Sequence, residues 1–197
     1  TLSLSRKLRE QMQVTMDREN LIPIYEFNRL IWNIIRSQPV PFIYERTSER
    51  YDHFLIDEFQ DTSSLQWLNL LPLIENSLAQ GGMSMVVGDG KQAIYRWRNG
   101  DVWQFVRLPE IKDSDSNPLL KSREEALKRY ATPKNLNYNF RSAKEILAFN
   151  NELFTWLKGK FPEELDAIYD SNEQEAGNKK VKGYVEIHMI PEMAELK

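Results

Sequence analysis

The chain has no cysteine, which excludes a disulfide framework and any thiolate metal site. It also lacks a signal peptide and any apolar run near membrane-spanning length, and these absences lead to the expectation of a cytoplasmic protein without a membrane partner. Histidine occurs only twice. His53 and His188 have no partners at ligand spacing and read as ordinary strand residues. A strong charge of one sign is missing too: the net charge of −3 is mildly acidic, unlike the electrostatic footprint of a dedicated duplex-DNA binder. No segment has the spacing G-x-x-x-x-G-K-(S/T), whose glycines, lysine and hydroxyl cradle nucleotide phosphates and magnesium. Gly88-Asp89-Gly90-Lys91 has the wrong glycine spacing and continues with Gln92, and Gly159-Lys160-Phe161 fails in the same way.

What is present suits a globular protein. With 197 residues, 41% of them hydrophobic and 11% aromatic, the chain can form one domain with a proper core, or one domain plus pieces of a neighbour. Residues 2–19 are charge-rich with scattered Leu and Met, and read as a helix. Beyond Pro23, the positions Ile24, Phe27, Leu30, Ile31, Ile34 and Ile35 recur at helical spacing and predict a core-facing helix that Pro39 and Pro41 end. Ser63 with Gln66 makes a capping box for a helix carrying Leu65, Leu68, Leu71, Ile74 and Leu78, with Pro72 as a kink site and Gly81-Gly82 as its stop. A second box, Ser142 with Glu145, is expected to start a helix through Ile146, Phe149, Leu153 and Leu157 to Gly159. Residues 109–133 read as a polar surface insertion with a short helix from Ser122 to Tyr130, residues 170–182 as a polar linker, and Tyr184 to Ile190 as a half-exposed strand of period two. There are no internal repeats.

Two apolar runs carry the chemistry. Phe54-Leu55-Ile56 ends in Asp57 and Glu58, and Met83 to Val87 ends in Gly88-Asp89. Continuous apolar runs read as buried parallel strands, and ligands of open α/β sheets bind beyond the strands' carboxyl ends. A right-handed crossover through the intervening helix sets the two ends side by side. A lone Asp-Glu pair would more simply be a strand leaving into a solvated acidic turn; the second run is what favours a site. Past it, Lys91, Arg96, Arg98 and Arg107 interleave with Tyr95, Trp97 and Trp103. Aromatics beside cations suit a single-strand surface, whereas by themselves Tyr95 and Trp97 would more often be core.

Three blocks stand in order: Asp57-Glu58-Phe59-Gln60-Asp61, then Gly88-Asp89-Gly90-Lys91-Gln92-Ala93-Ile94-Tyr95-Arg96-Trp97-Arg98-Asn99-Gly100, then Asn137-Tyr138-Asn139-Phe140-Arg141-Ser142. They resemble motifs II, III and IV of the UvrD/Rep-type superfamily 1 DNA helicases, in the RecB/AddA-like branch. The likeness spans roughly residues 21–157. Ala93 stands where the family usually has Ser, Asn99 where it has Gly, and Phe140 where it has Tyr. Asn tolerates a positive φ, so the turn at position 99 is expected to survive. Together with the missing phosphate loop and the opening on Thr1, the likeness suggests part of a larger enzyme.

The resemblance implies an α/β fold, a partial P-loop NTPase (RecA-like) domain with a parallel sheet flanked by helices. Residues 1–50 become a helical lead-in, or the end of an inserted subdomain, and 51–108 the core segment with motifs II and III. A polar insertion at 109–133, motif IV and its helix at 134–160, and a linker and strand toward a second motor domain at 161–197 complete the division. ATP and Mg²⁺ are the implied cofactors. Asp57 would hold the metal with Glu58, Glu58 would orient and deprotonate the attacking water, and Gln92 and Arg141 would reach the γ-phosphate. Tyr95, Trp97 and Arg98 would meet single-stranded DNA. Gln60 and Asp61 are given a structural or bridging role, and Asp52 and Asp101 a solvated or capping one. The implied partners are single-stranded DNA, duplex junctions, the segment bearing the phosphate loop, the second motor domain, and a nuclease, either as a domain or as a separate subunit. The expected activity is ATP-driven translocation and strand separation in recombination or repair. The alternatives are a metal-dependent nuclease using Asp57, Glu58 and Asp61, or a non-catalytic single-strand binding fragment.

Overall fold

The computed structural model describes residues 2–36, 44, 51–170, 172–177 and 182–189. They fall into two units, Thr1–Ala131 and Thr132–Lys197.

The first unit opens with helices α1 (Leu2–Glu19) and α2 (Ile24–Ile35). Strand β1 (His53–Ile56), helix α3 (Ser64–Ala79) and strand β2 (Met83–Val86) follow. The expected capping box forms: Gln66 N–H donates to Ser63 Oγ at 3.3 Å and Ser63 N–H to Gln66 Oε1 at 2.9 Å. Pro72 lies inside α3 without ending it. Gly81, at φ 84°, ends the helix, with Gly82 N–H returning to Ser77 O at 2.8 Å. β1 and β2 pair in parallel, His53 opposite Met83 and Ile56 opposite Val86, as a crossover connection demands.

Phe59, Trp67, Leu71, Ile74, Ile111, Leu120 and Leu127 form the core, and Phe54, Ile56 and Val86 lie against it from the sheet. Phe59 meets Trp67 edge-to-face, ring centroids 4.9 Å apart, a favoured aromatic geometry. The other sheet face is open: Leu55, Met83 and Met85 are exposed. The apolar runs predicted strands buried on both faces; among the described residues only one face is covered. α2 is corrected similarly. Ile35 is buried, but Phe27, Leu30 and Ile34 are exposed, because the helix packs on α3 and so buries only one stripe.

Residues 109–133 are not a surface excursion. After α4 (Val102–Val106), helix α5 (Pro118–Tyr130), capped by Asn117, supplies Leu120 and Leu127 to the core. It also buries Arg123 and Glu124. Glu124 accepts from Ile111 N–H at 2.9 Å and pairs with Lys128; Arg123 Nε lies 3.4 Å from Glu75 Oε2.

In the second unit, β3 (Tyr138–Asn139), α6 (Lys144–Leu157), the single turn α7 (Glu163–Asp166) and β4 (Glu175–Ala176) form another parallel strand–helix–strand arrangement. Gly159, at φ 76°, stops α6 as expected. The Ser142–Glu145 box does not form: the cap is Ala143, and Glu145 accepts Gly183 N–H at 3.0 Å instead. The strand expected at 184–190 is absent across the described residues 182–189, and β4 lies inside the expected linker. Asn151 explains part of this. Its amide bonds both N–H and C=O of Gln174 and fixes the backbone just before β4. No described helix is long and apolar enough to cross a membrane.

Candidate functional site

The site begins where β1 and β2 end. Parallel pairing continues past the strands, with Val87 N–H donating to Ile56 O at 2.8 Å and Phe59 N–H to Val87 O at 3.0 Å. Motifs II and III therefore leave the same sheet edge side by side. Asp57 is exposed, and its Oδ1 accepts the N–H of Glu58 at 2.9 Å. Glu58, also exposed, has left-handed backbone, φ 51° and ψ 42°; that conformation is uncommon outside Gly, Asn and Asp.

The expected bridging role of Gln60 has a concrete form. Its Nε2 donates to Glu58 Oε2 at 2.7 Å and its Oε1 accepts Asp89 N–H at 3.0 Å, while the residue is only 1% exposed. Asp89 in turn gathers motif III. One carboxylate oxygen takes Lys91 N–H at 3.0 Å and Lys91 Nζ at 2.8 Å, and the other takes Gln92 Nε2 at 3.1 Å. Burial raises the Asp89 pKa, but the hydrogen bonds and charge of Lys91 and the Gln92 amide outweigh it and hold the carboxyl below its ordinary value. Lys91 is thus paired, not a free cation of a DNA surface. Asp89 was not singled out from sequence, although an acid two residues before Lys91 was visible there.

The far end of motif III is also fastened to motif II. Asp101 N–H donates to Thr62 O at 3.3 Å, and a Cβ at Gly100 would stand 3.2 Å from Asp61 O. Asp101 caps α4 through Trp103 N–H at 3.2 Å and accepts Ser64 Oγ–H at 3.0 Å, the capping role expected of it. Asp61 Oδ1 is buried with no hydrogen-bond partner among the described residues. Held at both ends, residues 90–99 project the aromatics. Trp97 is 71% exposed, so it is not core. Tyr95 and Trp97 have centroids 6.1 Å apart, and Arg98 Cζ lies 4.5 Å from the Trp97 ring and 5.5 Å from the Tyr95 ring. Asn99 turns the chain at φ 67°, as the substitution for Gly requires.

Arg141 belongs to the second unit. It is exposed, and its N–H, like that of Ser142, donates to Asn139 Oδ1, at 3.0 and 2.9 Å. Asn139 Nδ2 is held by Gln174 Oε1 at 2.7 Å. His53 is a strand residue whose Nδ1 accepts Met83 N–H at 2.9 Å; His188 lies outside any strand.

The family model for the UvrD/REP helicase N-terminal domain matches residues 2–113. The chain belongs to the UvrD/Rep helicase family. It is 29% identical over 149 residues to DNA helicase II of Haemophilus influenzae, covering 75% of this chain and 17% of that protein. It is 35% identical over 135 residues to an ATP-dependent helicase/nuclease subunit from Lysinibacillus sphaericus, covering 68% of this chain and 10% of that one. DNA helicase II of Escherichia coli matches at 27% over 166 residues, 81% of this chain and 19% of the relative. The chain spans a fifth or less of the length of these relatives.

The donor chemistry at the motif II edge suits magnesium. That ion binds through one or two carboxylates plus phosphates and waters, not through an all-protein cage, and Asp57 and Glu58 offer hard, exposed oxygens. Among the described residues no group of three His, Cys, Asp or Glu could hold a metal. Asp57, Glu58 and Asp61 are all described, so they do not converge as the nuclease reading requires.

Proposed function

We propose that this chain is part of an ATP-dependent DNA helicase that moves on single-stranded DNA in recombination or repair, a cytoplasmic enzyme whose nucleotide site lies at the β1–β2 edge. The observation that carries this reading is the fastening of motif III to motif II at both ends. One short segment can thereby link Glu58 to the exposed Trp97. The P-loop, RecA-like fold is the architecture we infer for the complete domain, with residues 51–108 as its motif II and III segment. Residues 1–50 would lead into it, and residues 134–197 would begin the passage to a second motor domain. Since one relative is named as part of a helicase/nuclease, a nuclease domain or a separate nuclease chain is the further partner this reading implies.

Magnesium, when bound, would neutralise phosphate charge. Asp57 and Glu58 are the residues that would hold it, and Glu58 would orient a water and take its proton. Gln92 would contact the γ-phosphate by giving up Asp89, on which its amide rests. Arg141 would bring a guanidinium to the same phosphate. Trp97 and Tyr95 would stack on bases, a contact indifferent to sequence because every base has a π face, and Arg98 would add charge. The test is single-strand-stimulated ATP hydrolysis and duplex unwinding by the full-length protein. Loss of both with Glu58→Gln, with nucleotide binding retained, supports the reading; unchanged turnover refutes it.

A further inference from the structure

We propose that Gln60 is a positioning residue for Glu58, turning its carboxylate so that one oxygen is held and the other is free to face water. The inference rests on the reading of Glu58 as the group that activates water. Its geometry does not leave the amide a choice. Asp89 N–H can only donate, so Gln60 Oε1 must face it, at 3.0 Å; the NH₂ end is then committed to Glu58 Oε2, at 2.7 Å. The backbone of motif III therefore dictates which way the amide points. Gly88 leaves the space this needs, since a Cβ there would stand 2.7 Å from Gln60 Oε1.

Glu58 requires such a partner. Its left-handed backbone places the side chain at the start of a turn, not within a regular helix or strand, and Asp57 engages only its N–H. Gln60 is the hydrogen-bond donor to its carboxylate among the described contacts. Because the Asp89 side chain carries Gln92, the bonds run from Glu58 through Gln60 and Asp89 to Gln92. A buried amide that merely satisfied two neighbours would affect stability; a positioning amide affects turnover at fixed nucleotide affinity.

The experiment compares Gln60→Met, Gly88→Ala and the double variant in the full-length protein. Gln60→Met keeps the length and loses both hydrogen bonds; Gly88→Ala pushes on the same amide from the other side. The expected result is a fall of about 10- to 100-fold in kcat for each single variant. The rise in melting temperature caused by ATP without magnesium, which does not involve the Glu58 carboxylate, should stay within twofold, so that the loss is one of turnover and not of nucleotide binding. The double variant should be no slower than Gln60→Met, and a crystal structure of Gln60→Met should show the Glu58 carboxylate displaced. An unchanged kcat, multiplicative losses, or an undisplaced carboxylate overturns the proposal. If Gln60→Met does not fold, Gln60→Glu, which keeps the acceptor for Asp89 N–H, replaces it with the same expected loss. If the wild-type protein hydrolyses no ATP, the helicase reading fails, and the Glu58 position in the variant crystal alone decides the role of Gln60.

Discussion

Phe59 and Gln60 at the motif II turn differ sharply from Tyr95, Trp97 and Arg98 in motif III. The first two are 0% and 1% exposed, one packed against Trp67 and the other bonded at both ends of its amide. The second group is exposed, with its two rings near one another and Arg98 over both. Both groups contain aromatics in sequence, yet only one builds the core. Aromatic type alone does not separate the two; what does is whether the fold covers the ring or leaves it in solvent. Phe59 and Gln60 fix the motif II turn from within, while the exposed group stays open to the single-strand contact proposed for it.

The comparison breaks most visibly at Glu58. Replacing it by Gln in the full-length protein is expected to lower ATP turnover by roughly 10²- to 10⁴-fold, the usual range for a general base, with ATP affinity kept. Steady-state kinetics beside nucleotide titration measures both. Phe59→Ala should cost about 3–5 kcal/mol of stability, the usual loss for a buried Phe, seen as a large drop in the denaturation midpoint. Trp97→Ala should do the opposite: stability within about 0.5 kcal/mol of wild type, and single-strand binding weaker by about 1–3 kcal/mol. A large melting change at Trp97, or none at Phe59, would erase the distinction between the two regions.

The smallest effect is expected in acid. The Ile111 N–H, Lys128 and Ser114 hold the Glu124 carboxyl down from 4.5 to about 2. A carboxyl whose pKa is lower folded than unfolded adds stability that is fully present above its unfolded value. That stability is lost as pH falls from about 4.5 toward 2. Glu124→Gln should therefore melt below wild type at pH 6, with the gap closing across this window. Thermal melts at stepped pH check it.

Much of the first unit was legible because its signals are local. The Ser63–Gln66 box, the stop at Gly81 and the turn at Asn99 depend on a few adjacent residues, and each lies where the pattern indicated. Signals that depend on distant partners misled. Arg123 and Glu124 look like a solvated helix face, but Glu75, Ile111 and Lys128 make them buriable. Glu145 has the spacing of a capping residue yet takes the N–H of Gly183, far along the chain. Tyr184 to Ile190 alternates properly, but alternation cannot supply a neighbouring strand. In the site, the acidic pair and the exposed aromatics were readable from the motifs. The pairing of Lys91 with Asp89 was not, because charge pattern alone does not show which cation is already taken.

The left-handed backbone of Glu58 leads to a trade-off. A side chain with a Cβ in that region costs about 1–2 kcal/mol, and Gly, Asn or Asp occupy it with less strain. Glycine at this position is thus expected to raise the melting temperature while removing the carboxylate altogether. Aspartate would relieve part of the strain but fall one methylene short of Gln60. A selection for thermostability alone would drift toward those residues, whereas, with Glu58 activating water as proposed, a selection that also demanded turnover would keep the less stable glutamate.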